Sequence, residues 1–216
     1  MDNFHKLIEG FHNFKQTYFL KERQYFESLE KAQNPKTLVV ACCDSRVDPA
    51  ILLHCKPGDL FVIRNVAALV PAVTQASNPC SVMSAIEYGV KHLNVEHIVV
   101  MGHSHCGGIH GLMAPETIAG ETYIQDWVGI ASPALERLQA ITGDEDEKTR
   151  SRHCEEGAVL ISLDNLLSYP WIAERVKNGQ LKLHALYYDL SEGNLYRFSP
   201  DSEDFELLFH LSLIHI

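Results

Sequence analysis

Two short segments of this chain carry residue types that do chemistry. The first is Cys42-Cys43-Asp44-Ser45-Arg46; the second, about sixty residues on, is His103-Ser104-His105-Cys106-Gly107-Gly108. Cys42, His103 and Cys106 offer two soft thiolates and an imidazole, a donor set that suits zinc. A catalytic zinc keeps three protein ligands and one open position, and His-x-x-Cys spacing lets both side chains reach one ion from a tight turn. Cys106 precedes Gly107-Gly108, read as the start of a helix whose dipole favours a thiolate. Asp44 has two options. It can close the site as a fourth ligand, or it can pair with Arg46, whose planar fork makes two charge-assisted hydrogen bonds to a carboxylate. When paired, it stays off the metal and accepts a hydrogen bond from bound water. A purely structural zinc site more often draws Cys-x-x-Cys pairs from local loops, so the split arrangement favours catalysis. The adjacent Cys42-Cys43 pair lacks the spacing of redox motifs. Cys43, Cys55, Cys80 and Cys154 are read as small buried residues, and His105 and His110 as surface or packed histidines near enough to move protons.

These motifs need elements to hold them. Each follows an apolar run, Thr37–Ala41 and Ile98–Gly102, of the kind that forms buried parallel strands. Both motifs then sit at strand ends, where open α/β sheets place their ligands. Further strands are predicted over Leu60–Arg64, Leu181–Leu190 and Leu195–Phe198, the last two joined by a turn at Ser191-Glu192-Gly193-Asn194. Helices are predicted at Asp48-Pro49, over Ser81–His92, from Gly107, as a pair between Tyr123 and Leu167, and from Pro170 to about Asn178. The acidic run Asp144–Glu147 is placed at the start of the second helix of that pair, where the dipole favours negative charge. Strands alternating with helices imply an α/β fold, with a mostly parallel central sheet flanked by helices.

Three regions are expected. Residues 1–34 form an N-terminal helical arm, on which Phe4, Leu7, Ile8, Phe11, Phe14 and Tyr18 recur at helical spacing. Two readings of that stripe stay open: packing on its own core, or clasping a partner. Residues 35–210 form the α/β zinc domain. Residues 211–216 are read as a tail that is not native to it.

Composition narrows the function classes. The chain has 216 residues, a formal net charge of −10 and 46% hydrophobic residues, which suits an ordinary globular domain. No Lys/Arg cluster stands out, so nucleic acid is not an expected partner. No stretch approaches a membrane span and the N-terminus lacks the pattern of an export signal, so a cytoplasmic protein is expected. A reducing compartment makes metal ligation, rather than disulfide formation, the better account of Cys42 and Cys106.

The two motifs, with their flanks, resemble the β-class carbonic anhydrases. The flanks are Gln33–Lys36, Arg46–Pro49, Pro57–Ala67 and Ala85–Val90, and the resemblance runs from about Phe19 to Phe198. It implies one Zn2+ per subunit, held by Cys42, His103 and Cys106. It implies reversible hydration of carbon dioxide to bicarbonate and a proton through zinc-bound hydroxide. Gln33 would donate a hydrogen bond to a substrate oxygen, assisted by the Gly107 N–H. Phe61, Val66 and Tyr88 resemble an apolar lining supplied by a neighbouring subunit, which makes the active unit a homodimer or homotetramer. Family members with Asp44 on the metal carry Trp and Gly where this chain has Val39 and Ala41, so the open form is expected, with Asp44 held by Arg46. The segment Gln75–Ser81 departs from the family pattern. Two other functions remain on this scaffold: hydrolysis of carbon disulfide or carbonyl sulfide, and a non-catalytic zinc-binding role.

Overall fold

The structure is a computed structural model that describes residues 2–77, 79–140 and 146–208. It divides into two compact units, one ending at Asn34 and one beginning at Pro35.

The first unit is helical. Helix α1 (Asn3–Phe14) runs into a π-helical turn (Lys15–Phe19), and α2 (Arg23–Lys31) follows. The arm is therefore broken rather than continuous, at residues 20–22, where Glu22 (φ −104°, ψ 33°) leaves the helical region. Phe14, Tyr18, Phe19 and Phe26 make an aromatic cluster there, with ring centroids 4.9 to 5.9 Å apart. Phe11 stacks on Phe14 at 6.3 Å but stays exposed, as do Phe4, Leu7 and Ile8.

The second unit is built on a six-stranded sheet. In chain order its elements are β1 (Thr37–Cys42), α3 (Pro49–Leu52), β2 (Leu60–Asn65), α4 (Ser81–Lys91), β3 (His97–His103), α5 (Gly107–Met113), α6 (Thr122–Val128), α7 (Ser132–Ala140), α8 (Glu147–Leu167), α9 (Pro170–Lys177), β4 (Lys182–Asp189), β5 (Asn194–Ser199) and β6 (Asp204–Leu207). The strand order is β2-β1-β3-β4-β5-β6. The first four strands are mutually parallel, and β5 and β6 add antiparallel at one edge. After β1 the chain adds β2 on one side and then crosses to add β3 on the other. The crevice between the C-terminal ends of β1 and β3 is therefore a topological switch point, the place where such sheets bind ligands.

Local chemistry explains the boundaries. The Asp48 carboxylate caps α3 by accepting the N–H groups of Ala50 and Ile51 at 3.0 and 3.2 Å, with Pro49 in the first turn. Asp146 caps α8 by accepting the Thr149 N–H at 2.8 Å. Glu147 sits in the first turn of α8, while Asp144 and Glu145 lie outside the described residues, as does the tail 211–216. Among its described residues, the region Tyr123–Leu167 holds three α-helices and a short 310 turn at Gly129–Ala131, not two helices. Strand β6 has no counterpart in the sequence reading, because its four residues are too short to show alternation.

Alternation sorts the sheet's two faces. Leu38, Val40, Ile98 and Val100 pack with α4 and α9 residues in one cluster, and Val39, Ala41, Val99 and Met101 in another. Full burial of each Leu, Val, Ile or Met side chain among these is worth about 1.5 to 3 kcal/mol. Gly102 permits the closest approach: a Cβ there would lie 2.5 Å from Val159 Cγ2 on α8. That contact brings α8 against β3 immediately before His103.

Candidate metal centre

Cys42 ends β1, His103 ends β3, and Cys106 is the N-cap of α5. Their ligand atoms all lie within 4.8 Å of one another and all three residues are buried. Among the described residues this is the one such group. His103 is 1% exposed. Its Nδ1 lies 2.8 Å from the Ser104 carbonyl oxygen. A carbonyl only accepts, so Nδ1 carries the proton and Nε2 presents a lone pair. Nε2 is the one buried side-chain nitrogen or oxygen, among the described residues, without a hydrogen-bond partner.

The contact between the two sulfurs favours a thiolate on one and a proton on the other. The Cys42 thiol is held far below the usual range, chiefly by a hydrogen bond from Cys106, against the effect of burial and with help from His103 and the N–H groups of Asp44 and Ala67. Cys106 is pushed up by the same contact and by burial. Burial pushes His103 down, but Cys42, the Ser104 carbonyl and Asp44 outweigh it. Two converging sulfurs and an unpartnered imidazole nitrogen fit a divalent ion with soft ligands, which would take the place of that proton.

The first motif is tied down by arginines. Arg46 donates from Nε to Asp44 Oδ1 at 2.9 Å and from Nη2 to Oδ2 at 2.7 Å, and its backbone N–H donates to Oδ1 at 3.0 Å. These bonds, first of all the side-chain ones, hold the Asp44 carboxyl well below the ordinary range. Asp44 Oδ2 lies 3.9 Å from His103 Nε2. Arg46 also donates to the His105 carbonyl at 3.1 Å, linking the two motifs. Arg64 donates to the carbonyls of Cys42, Asp44 and Val47 at 2.9, 2.7 and 3.0 Å.

Backbone strain is concentrated beside the sulfurs. Ala67 (φ 63°), Ala68 (φ 55°) and His105 (φ 56°) all occupy the left-handed region, which is costly for residues with a Cβ. The Ala67 N–H thereby reaches Cys42 Sγ at 3.3 Å, and the Asp44 N–H reaches it at 3.4 Å. The Asn65 side chain clamps this turn, accepting from the Leu69 N–H and donating to the Leu69 carbonyl. Trp127 Nε1 donates to the Val66 carbonyl at 2.8 Å.

A model of the protein family described as carbonic anhydrase matches residues 37–195. Beta carbonic anhydrase 5, chloroplastic, of Arabidopsis thaliana is 38% identical over 93% of this chain, which spans 66% of that protein's length. Beta carbonic anhydrase 3 of the same plant is 40% identical over 89% of this chain and 76% of its own length. The structure of the beta-carbonic anhydrase CcaA superposes with a TM-score of 0.90 at 31% identity, covering 96% of this chain and 93% of that one. A tetrameric beta-carbonic anhydrase of Sordaria macrospora superposes with a TM-score of 0.78 at 29% identity, covering 92% and 98%. The chain belongs to the β-class carbonic anhydrases. These are zinc enzymes, and the Cys42-His103-Cys106 group is positioned for the metal.

The other expected residues are scattered. Val66 is half-buried and packs with Cys42 and Cys106, and its Cγ1 lies where a Cβ on Gly108 would come. Gly107 is exposed at the start of α5. Phe61 and Tyr88 face each other at 6.1 Å on β2 and α4, with Tyr88 46% exposed. Gln33 is exposed in the first unit, just beyond α2. A cavity of about 720 Å3 opens beside Cys106, with His105, Gly107, His110, Glu155 and Asp189 in its wall. All six cysteines are free thiols, but of the four outside the metal group only Cys154 is buried; Cys43 is exposed where β1 has ended.

Three residues that contact the two motifs escaped the sequence reading as supports of the metal group. Arg64 acts on carbonyls about twenty residues away, and Ala67 turns left-handed without a glycine to announce it. Glu155 is the third: its carboxylate accepts the Cys106 N–H at 3.0 Å. A signal existed for it, because Glu155 shares a helix face with the buried Val159, Ser162 and Leu166.

Proposed function

We propose that the protein catalyses the reversible hydration of carbon dioxide to bicarbonate and a proton, with zinc on Cys42, His103 and Cys106. The observation that carries this reading is the buried His103 Nε2, unpartnered and converging with two sulfurs beside a carboxylate that Arg46 engages. Zinc, when bound, supplies a Lewis acid that lowers the pKa of coordinated water.

The chain's own residues supply the rest. An ionised carboxylate has about four lone-pair sites. Arg46 occupies two on Asp44 Oδ1 and one on Oδ2. The remaining Oδ2 site belongs to the oxygen nearer His103, where it can accept a hydrogen bond from a solvent or bicarbonate hydroxyl. Asp44 therefore selects a ligand that brings a proton, and Arg46 prevents the carboxylate from closing the site. Gln33 and the Gly107 N–H are assigned to the substrate oxygen. Phe61, Val66 and Tyr88 are assigned to the apolar lining, contributed across an interface between copies, which a nonpolar gas suits.

The active unit is a homodimer or homotetramer, a reading that the exposed Val62 and Tyr88 support. We place the protein in the cytoplasm, on the strength of six free thiols, which suit a reducing compartment. No described helix is long and apolar enough to cross a membrane.

The test is stopped-flow carbon dioxide hydration across pH on protein of measured zinc content and mass. Activity should rise with pH, because the nucleophile forms by loss of a proton. A folded, zinc-loaded assembly that hydrates no carbon dioxide would overturn the reading.

A further inference from the structure

We propose that Glu155 is a positioning residue for the metal group: anchored by Tyr187, it braces the backbone of Cys106 so that the Cys106 sulfur meets the ion. The inference rests on the reading that Cys42, His103 and Cys106 hold zinc.

Glu155 is 5% exposed on α8. Its Oε1 accepts the Cys106 N–H at 3.0 Å, and its Oε2 accepts the Tyr187 hydroxyl at 2.7 Å. Tyr187 is itself 1% exposed, on β4. The next residue, Glu156, is also buried, but Arg152 pairs with it at 2.8 Å. No such ion pair reaches Glu155 among the described residues. A buried carboxylate without a cation is expensive, and a neutral acceptor would satisfy one N–H at lower cost. What the carboxylate adds is a stronger, charge-assisted hydrogen bond, doubled by the tyrosine.

The loop it holds needs such a brace. Between His103 and Cys106 the backbone passes through the left-handed His105, a conformation that relaxes unless its surroundings enforce it. On its outer side this loop borders the large cavity; Arg46 holds the His105 carbonyl and the Leu190 N–H holds Ser104 Oγ, but neither bond reaches the Cys106 N–H. The hydrogen bond from Cys106 to Glu155 ties it to α8, the helix that Gly102 seats directly on β3. Glu155 thus acts through Cys106, at one remove from the ion.

The test is zinc competition against a chelator on the whole protein, with the absorption of its cobalt-substituted form as a second readout. Glu155→Ala should lose about 10- to 100-fold in zinc affinity and shift the thiolate-to-cobalt band. Glu155→Gln should restore only part of both, since an amide oxygen still accepts the Cys106 N–H but without the charge. Glu156→Ala, which removes the neighbouring carboxylate, should lower the melting temperature while leaving zinc affinity and the cobalt band unchanged. Wild-type affinity and spectrum in Glu155→Ala would overturn the proposal, and so would equal losses in Glu155→Ala and Glu156→Ala. If Glu155→Ala does not fold, Tyr187→Phe decides: a weakened zinc affinity supports the brace and an unchanged one refutes it. Both readouts work without substrate. A wild-type protein that holds zinc and hydrates nothing would refute the proposed function and leave the brace standing; an active wild type with an indifferent Glu155→Ala would refute the brace alone.

Discussion

Strand β3 begins with one histidine and ends with another, and the two have opposite fates. At the start, His97 Nδ1 lies 3.0 Å from His184 Nε2 on the neighbouring strand, and the half-buried rings sit 5.2 Å apart. Each imidazole satisfies the other. At the end, His103 is almost wholly buried, donates a hydrogen bond from Nδ1 to a backbone carbonyl and leaves Nε2 unpartnered beside two sulfurs. The same side chain on the same strand is a packing element at one end and a candidate metal ligand at the other. The difference lies in what the second nitrogen meets. A partnered nitrogen closes the account locally, whereas an orphaned buried one requires something else to complete it.

Substitutions at the two ends should separate them sharply. The largest effect is expected from His103→Ala or Cys106→Ser. Either leaves two ligands, so zinc should fall to trace levels and hydration by about 1000-fold or more. Metal analysis of the purified variants checks this, and full zinc in either would erase the contrast. Next comes Asp44→Asn, which keeps the shape but loses the charge that Arg46 engages. Zinc content should hold while hydration drops by about 100-fold, measured by stopped flow at matched zinc. A normal rate would remove Asp44 from the chemistry.

The smallest effect should come from the other end. Burial first, then the charges of His97, Arg197 and Lys182, lower the pKa of His184. A histidine depressed in the folded state contributes stability that is present above its unfolded pKa, about 6.5, and lost as pH falls through its folded value. His184→Gln should therefore lose less stability on acidification from pH 7.5 to 5.5 than the wild type does. At neutral pH the two should agree within about 0.5 kcal/mol, and hydration should be unchanged. Urea denaturation along the pH series reads the difference, and parallel curves would sink the argument.

How much was legible in the sequence follows from how far each interaction reaches. Cys42, Asp44, Arg46, His103 and Cys106 stood out because their partners lie within a few residues, or at the ends of apolar strands that announce themselves. The parallel core of the sheet was legible for the same reason. Strand β6 was not, since Asp204–Leu207 is short and its pairing with β5 is tertiary. The break in the N-terminal arm was hidden because the apolar stripe ends at Tyr18, before it, and no Gly or Pro marks residues 20–22. Arg64 and Glu155 were opaque as site residues, since each acts on backbone groups that only the fold brings near.

The separation of Cys42 from His103 along the chain has a consequence for how the protein comes into being. A zinc finger collects its ligands from adjacent loops and can load early. Here the three candidate ligands cannot meet until the second motif has been synthesised and β3 has docked beside β1 in register. Metal capture is therefore a late event in maturation, and a zinc-loaded molecule is one that has already completed the central pairing of its sheet.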